Sequence, residues 1–315
     1  IQINKSYPRL LIDTKKIKHN TETIVKLANR LDIKITGVTK ATCGDIKVAE
    51  AMLNGGSVGI SDSRIDNIKN MKKQGIKTNF MQLRTPMFSE IDDIVEYADI
   101  SLNTEIKVIE KISEKAIEQE KKHKIILMVE MGDLREGIPI EDLDEIINKT
   151  KKLPGINLYG IGMNLACFGG VVPTEEKIKE FCNIVKDIEK KHNIKFEIIS
   201  GGNSANIPYL LEKKQKTKIN NLRIGEGILL GLETVNRTNI PNTYRDTFIL
   251  EAEIIEHKHK KSKPYGKITQ NAFGKTPEFK DIGKINRAII AVGKQDTIPD
   301  DLIPIDKDIG ILGSS

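Results

Sequence analysis

Residues 33–45 read IKITGVTKATCGD. A β-branched, largely apolar run rises to Val38 and Thr39, meets the ammonium of Lys40, and turns at once through Ala41, Thr42, Cys43 and Gly44. Short apolar runs of this kind recur at 33–39, 57–61, 78–83, 99–102, 124–130, 157–163, 196–200 and 221–225, and each reads as a buried strand. Between them lie stretches such as KKIKHNTETIVKLANRL, SRIDNIKNMKKQG and TEEKIKEFCNIVKDIEKKH. Their apolar residues recur at three and four with charges opposite, the pattern of an amphipathic helix. Gly75 sits where one helix should stop, and Ser63 and Thr174 where two should start. Eight strand–helix units with no break in their order favour closure into a parallel (β/α)8 barrel over an open doubly wound sheet. The expected fold class is therefore α/β.

After LLGLET the grammar changes. From Thr247 the runs TFILEAEIIEHK, YGKITQNAFG and INRAIIAVGK are strand-like with no helices between them, which predicts a smaller C-terminal β-domain. The early run PRLLID, residues 8–13, either joins the barrel or goes with that domain. We assign residues 14–240 to the barrel and residues 1–13 with 241–315 to the β-domain.

Composition narrows the function. The chain has 315 residues, enough for one large barrel with an added domain, and 30% of them are charged although the net charge is only +6. Its lysines are spread along helices and turns, so nothing points to nucleic acid. With eight Phe, six Tyr and no Trp, a stacking surface for single strands is not expected either. Cys43, Cys167 and Cys182 are too few and too irregular for a disulfide framework or a structural zinc site, which suits a reduced, cytoplasmic chain. His257 and His259 fall in a lysine-rich stretch that reads as a solvated loop, and no metal is expected. No apolar run approaches the ~20 residues that span a bilayer. The start IQINKSYPRL has none of the layout of a secretory signal. The missing initiator Met and the ending GILGSS lead us to expect a longer gene product, incomplete here at the C-terminus.

In a closed barrel, chemistry is built at the C-terminal ends of the strands. The residues there are Lys40, Asp62, Arg84, Asn103, Arg135, Asn164, the run Ser200 to Ser204, and Arg223 with Gly225 and Glu226. Each has a bland reading as well: a lone lysine is ordinarily a rim charge, SGGNSAN a tight turn with a helix cap, and a lone arginine half of an ion pair. Together they say more. The glycines before Asn203 and Ser204 free backbone N–H groups for a phosphate, and LRIGEG offers a second set after the eighth run, where barrels most often hold phosphate. A lysine on the first strand facing such a cradle suggests pyridoxal phosphate, its aldehyde on Lys40 and its phosphate on Ser204, Gly225 and Glu226. Arg223 then meets the pyridine nitrogen; an arginine keeps its own proton and leaves that nitrogen essentially unprotonated.

The set GVTKATCGD, VEMGDLREGI, GIGMNLA, SGGNSAN, LRIGEGILLG and KPYGKI, in that order over nearly the whole chain, resembles the alanine racemase type of pyridoxal phosphate enzyme, and within it most the ornithine racemases. The resemblance implies a barrel that binds the cofactor and a C-terminal β-domain from a second subunit that closes the site, hence a homodimer. It implies that Lys40 carries the cofactor, that Arg135 lies near its phenolic oxygen, that Asn164 takes the place of a ring-contacting histidine, and that Ser204, which opens a helix with Asn203, binds phosphate. Arg223 becomes the ring-nitrogen partner and Tyr265 a catalytic residue reaching the site from the other subunit. The family tyrosine that follows the lysine is replaced here by Thr42 and Cys43 in a shorter turn, which leaves room for a longer substrate.

Inverting a Cα centre takes one base on each face, and the resemblance assigns these to Lys40 and Tyr265. A phenol is a weak acid for such work, so a cation should stand beside the tyrosine. The expected reaction interconverts L- and D-ornithine or a related amino acid. A cationic side chain needs an acid, for which Asp45, Glu226 and Asp296 are the candidates by position. The alternatives are a broad alanine or lysine racemase and a single-barrel pyridoxal phosphate homeostasis protein without turnover, which would not need the β-domain. A decarboxylase of the same barrel would put a carboxylate where Arg223 stands.

Overall fold

Strand-by-strand alternation organises the computed structural model, which describes residues 7–212 and 215–312. In chain order the elements are β1 (Arg9–Ile12), α1 (Thr14–Asn29), β2 (Lys34–Val38), α2 (Ile46–Asn54), β3 (Gly59–Asp62), α3 (Ile65–Lys73), β4 (Phe80–Gln82), α4 (Ile91–Tyr97) and β5 (Ile100–Asn103). They continue with α5 (Ile106–Glu118), β6 (His123–Val129), α6 (Leu143–Thr150), β7 (Ile156–Met163), α7 (Glu175–His192), β8 (Ile198–Ser200), α8 (Ile207–Glu212), β9 (Asn221–Ile224) and α9 (Glu226–Leu230). The last are β10 (Phe248–Glu251), β11 (Ile254–Lys261) and β12 (Lys284–Ile290). Two units divide the chain, residues 13–247 and the segments before and after them.

In the first unit β2 to β9 form a closed barrel of parallel strands, sealed where Thr36 of β2 lies opposite Arg223 of β9. The eight apolar runs are its eight strands. Side chains alternate across each strand. Met81, Ile100, Leu102, Ile126 and Met128 therefore meet inside the barrel, with Leu83, Tyr159 and Ile198 against them. The helices close the outer layer by their apolar stripes: Ile17, Thr21, Ile24 and Ala28 of α1 are all buried, as are Ile178, Phe181, Val185 and Ile188 of α7. Each such isoleucine stabilises the layer by roughly 1.5–3 kcal/mol relative to exposure, more than helix propensity supplies. Thr174 caps α7 as expected, its Oγ1 accepting from Lys177 N. Ser63 does not cap α3; Asp62, one residue earlier, accepts from Arg64 N at 3.0 Å instead.

In the second unit β1 pairs antiparallel with β10, and β11 with β12. PRLLID thus adds no strand to the barrel. The run YGKITQNAFG forms no strand, because Asn271 gathers it into a turn: its Oδ1 accepts from Phe273 N at 2.9 Å and Lys275 N at 3.1 Å. Among the described residues no helix is long and apolar enough to cross a membrane.

Candidate active site

Lys40 opens a single 3-10 turn directly after β2, and among the described residues its ammonium has neither a hydrogen-bond nor an ion-pair partner. The turn is built by what flanks it. Thr39, fully buried, donates from Oγ1 to Asp62 Oδ2 at 2.8 Å, while its carbonyl accepts from Thr42 Oγ1 at 2.9 Å and Gly44 N at 3.3 Å. Gly44 has φ +69° and its missing Cβ would stand 2.8 Å from Asn67 Cβ, so no larger residue closes the turn there. Thr36 and Val38 share the inner face of β2, and Lys40 follows two residues beyond its end, at the C-terminal mouth of the barrel.

Arg223 lies on the inner face of β9, only 4% exposed. It donates from Nη1 to Ser200 Oγ and from Nη2 to the Met163 carbonyl at 3.1 Å and Asn164 Oδ1 at 3.4 Å. All three acceptors are neutral, and no ion pair among the described residues includes it. Burial pushes the guanidinium down to about 10, with Glu136 and the Cys167 sulfur pulling the other way and Arg135 adding to the fall. It therefore stays charged at neutral pH. Asn164 Oδ1 also accepts from Asn203 Nδ2 at 3.0 Å, yet its own buried Nδ2 has no partner. A donor left unpaired at such a place costs free energy unless a ligand or water takes it.

The loops after β6 and β7 are clamped together by Asp133, buried, whose carboxylate accepts from Cys167 N at 3.3 Å, Phe168 N at 3.0 Å and Gly169 N at 3.0 Å. Asn203 adds a bond from Nδ2 to Cys167 Sγ at 3.3 Å. Ser204, buried, accepts on Oγ from Gly227 N at 3.1 Å, while the N–H groups of Ser204 and Gly225 have no acceptor among the described residues. A Cβ at Gly225 would come within 3.0 Å of Val38 Cβ, so the glycine keeps this edge of the mouth open.

The structure brings Asn164, Asn203, Ser204, Arg223 and Gly225 together, with Arg135 within electrostatic range of Arg223. Arg135 is itself engaged by Glu136 through two bonds, one of 2.6 Å, and this pairing raises its pKa. Other strand-end residues turn away. Asp62 and Asn103 follow inward-facing neighbours and so face the helix layer, Asp62 toward Asn67 at 3.0 Å and Asn103 back onto Ser101 Oγ at 2.8 Å. Arg84 is taken by Glu90 at 2.6 Å. Asp45 caps α2, its Oδ1 accepting from Val48 N at 2.9 Å, and the Glu226 carboxylate pairs with Arg237. In the second unit Asp296 closes a turn by accepting from Gly293 N at 3.1 Å. Tyr265, 86% exposed, carries the Lys261 ammonium 5.1 Å from its ring centroid. Residue types alone did not single out Thr39, Asp133 or Asn221, whose partners lie on neighbouring strands and loops far away in sequence.

A cavity of about 190 Å³ opens at the opposite end of the barrel, lined among others by Thr36, Lys124, Tyr159 and Asn221. The strand-end cluster is not there, and the C-terminal mouth remains the site.

A closed parallel barrel with an unpaired lysine and a buried, neutrally held arginine at that mouth defines a barrel enzyme of the alanine racemase type. The chain belongs to the family described as alanine racemase, N-terminal domain, whose sequence model matches residues 12–232. It is similar to the lysine racemase of Thermotoga maritima, 42% identical over 310 residues that cover 98% of this chain and 86% of the relative. It is similar also to the ornithine racemase of Acetoanaerobium sticklandii, 40% identical over 98% of this chain and 87% of the relative. Among solved structures, an alanine racemase of Clostridium difficile 630 superposes with a TM-score of 0.72 over 92% of this chain and 74% of that one, at 19% identity.

Proposed function

We propose that the chain is a pyridoxal phosphate-dependent amino acid racemase that interconverts the L and D forms of ornithine or a related cationic amino acid. The observation that carries the reading is the presence at one barrel mouth of Lys40, unpartnered among the described residues, and a buried Arg223 whose hydrogen-bond acceptors there are all neutral. The orphaned Asn164 Nδ2 and the free N–H groups of Ser204 and Gly225 fit the cofactor's polar rim. Lys40 would hold it by its aldehyde, Ser204 with Gly225 and Glu226 by its phosphate, Arg223 by its ring nitrogen, Asn164 and Asn203 along the ring, and Arg135 near the phenolic oxygen. When bound, pyridoxal phosphate supplies an electron sink that acidifies the substrate Cα–H.

The remaining chemistry belongs to the chain. Lys40 removes or returns the Cα proton on one face, and Tyr265, contributed by the second unit of a partner subunit in a homodimer, does so on the other. Arg223 would donate to the ring nitrogen while keeping its own proton, and so would hold that nitrogen essentially unprotonated. The two relatives named for lysine and ornithine support a cationic substrate. Asp45 and Glu226 retain one carboxylate oxygen each outside the bonds described above, and Asp296 is the remaining acidic candidate.

The test is incubation of the purified, pyridoxal-loaded protein with L-ornithine, L-lysine and L-alanine, with the enantiomers resolved by chiral chromatography. Accumulation of the D form toward an equal mixture is expected for ornithine or lysine ahead of alanine. Bound cofactor with no inversion of any of the three would overturn the reading in favour of a carrier.

A further inference from the structure

Arg223 is anchored by a line of neutral side chains that runs away from the mouth, down the barrel interior. Ser200 Oγ accepts from Arg223 Nη1 and gives its single proton to Asn221 Oδ1 at 2.8 Å. Asn221 Nδ2 in turn donates to Thr36 Oγ1 at 2.9 Å and to the Lys34 carbonyl at 3.5 Å. Ser200, Asn221 and Thr36 are all buried, and the last two line the cavity at the far end. Register makes the line possible: Ser200 lies opposite Asn221, and Thr36 opposite Arg223.

The line has a direction. A serine hydroxyl has one proton to give, so once Asn221 takes it, only acceptor capacity faces Arg223. Asn221 presents its oxygen to Ser200 because its amide protons are engaged by Thr36 and Lys34. A buried guanidinium would ordinarily be fixed by a carboxylate, which brings a counter-charge. Here orientation is set without one, in keeping with a charge held only by neutral groups.

We propose that Asn221, acting through Ser200, is a positioning residue that fixes the plane of the Arg223 guanidinium without bringing a carboxylate into contact with it. The inference rests on the reading that Arg223 faces the pyridine nitrogen. Without Asn221 the Ser200 proton is free to turn toward the guanidinium, which would cost Arg223 an acceptor and let it tilt.

The experiment compares the pyridoxal-loaded wild type with Asn221→Leu, Ser200→Ala, the two combined, Ser200→Thr and the near-isosteric Thr36→Val. The readouts are the visible absorption of the bound cofactor, its dependence on pH, and the separate values of kcat and KM for racemisation. Asn221→Leu and Ser200→Ala should shift the absorption and lower kcat by about tenfold with KM within about twofold, the signature of a lost transition-state interaction. The double variant should be no slower than Ser200→Ala alone, because two residues acting in series are not additive. Ser200→Thr, which keeps the hydroxyl, should recover most of the rate. Thr36→Val should show a smaller loss in the same direction and carries the test if Asn221→Leu folds poorly. Wild-type spectra and kcat in Asn221→Leu or Thr36→Val, or full multiplication of the two losses in the double variant, would overturn the proposal while leaving the racemase reading intact. A wild type that takes up no pyridoxal phosphate would instead bring down that reading and this inference with it.

Discussion

Thr39 Oγ1 donates to Asp62 Oδ2 at 2.8 Å with both side chains fully buried, and this bond ties the turn that carries Lys40 to the neighbouring strand. The other Asp62 oxygen receives Arg64 N and Asn67 Nδ2, each at 3.0 Å, so the start of α3 is part of the same anchor. Thr39→Val keeps the shape and deletes the hydroxyl, leaving a buried carboxylate oxygen without its donor. The expected cost is about 1–3 kcal/mol, read as a lower urea midpoint. Loosening of Lys40 should also slow racemisation by about tenfold, since small displacements of a reacting group are expensive. An unchanged midpoint and rate would show that the backbone alone sets the turn.

Asp133 is predicted to matter without touching substrate. Its two oxygens satisfy three backbone N–H groups of the loop after β7, at 3.0 to 3.3 Å. Asn at this position offers one oxygen and turns an amide toward donors. Asp133→Asn should therefore destabilise by about 1–3 kcal/mol. It should also open residues 164–170 to limited proteolysis, with the cut sites identified by mass spectrometry. Cleavage confined to other loops would refute the clamp.

The barrel was legible because its strands are covered on both faces and so read as continuous apolar runs, while the helices between them keep a period near 3.6. The β-unit was less so. YGKITQNAFG has strand-like composition, yet Gly266 and Gly274 take positive φ and the Asn271 side chain supplies the bonds a ladder would have made. A propensity pattern does not reveal that local competition.

At the barrel mouth, the positions of Lys40, Asn164, Ser204, Arg223 and Gly225 were legible from their place at the ends of apolar runs. Asp62 and Asn103 satisfied the same rule but sit one step out of phase, and one step along a strand reverses the face. The line from Thr36 through Asn221 and Ser200 to Arg223 was hidden for a different reason. Three small polar residues on three strands look like ordinary strand polar residues until Ser200 is paired with Asn221 and Thr36 with Arg223.

Tyr265→Phe should spare cofactor uptake and impair inversion in both directions alike, since enantiomers have an equilibrium constant of one, while the Cα proton of one enantiomer still exchanges with solvent deuterium through Lys40. The test of a shared site is complementation with Lys40→Ala, which by itself should neither form the cofactor's protein-bound absorbance band nor turn over. If each site takes Lys40 from one subunit and Tyr265 from the other, statistical remixing leaves roughly a quarter of all sites intact. Activity should therefore reappear on mixing after dissociation and reassociation. Only a mild loss of inversion in Tyr265→Phe, deuterium exchange lost equally from both enantiomers, or no recovery on mixing, would remove it as the second base.

His123, at the start of β6, supplies a pH test of the fold that is independent of the active site. It is buried, with Nε2 3.0 Å from Ser101 Oγ, and burial pushes its pKa from 6.5 down to about 4, the Lys121 charge adding to the fall. The unfolded chain therefore binds a proton between pH 6.5 and 4 that the native chain refuses. The neutral ring contributes stability above that window, and the contribution is lost as pH falls through it. At ~1.36 kcal/mol per pH unit the loss by pH 4 is roughly 3 kcal/mol. His123→Gln keeps a polar group and cannot titrate. Urea unfolding of both proteins at pH 7, 5.5 and 4.5 should show the wild type losing more stability than the variant, with the gap widening toward acid; parallel curves would mean that the ring is already protonated, or reachable by water, in the folded state.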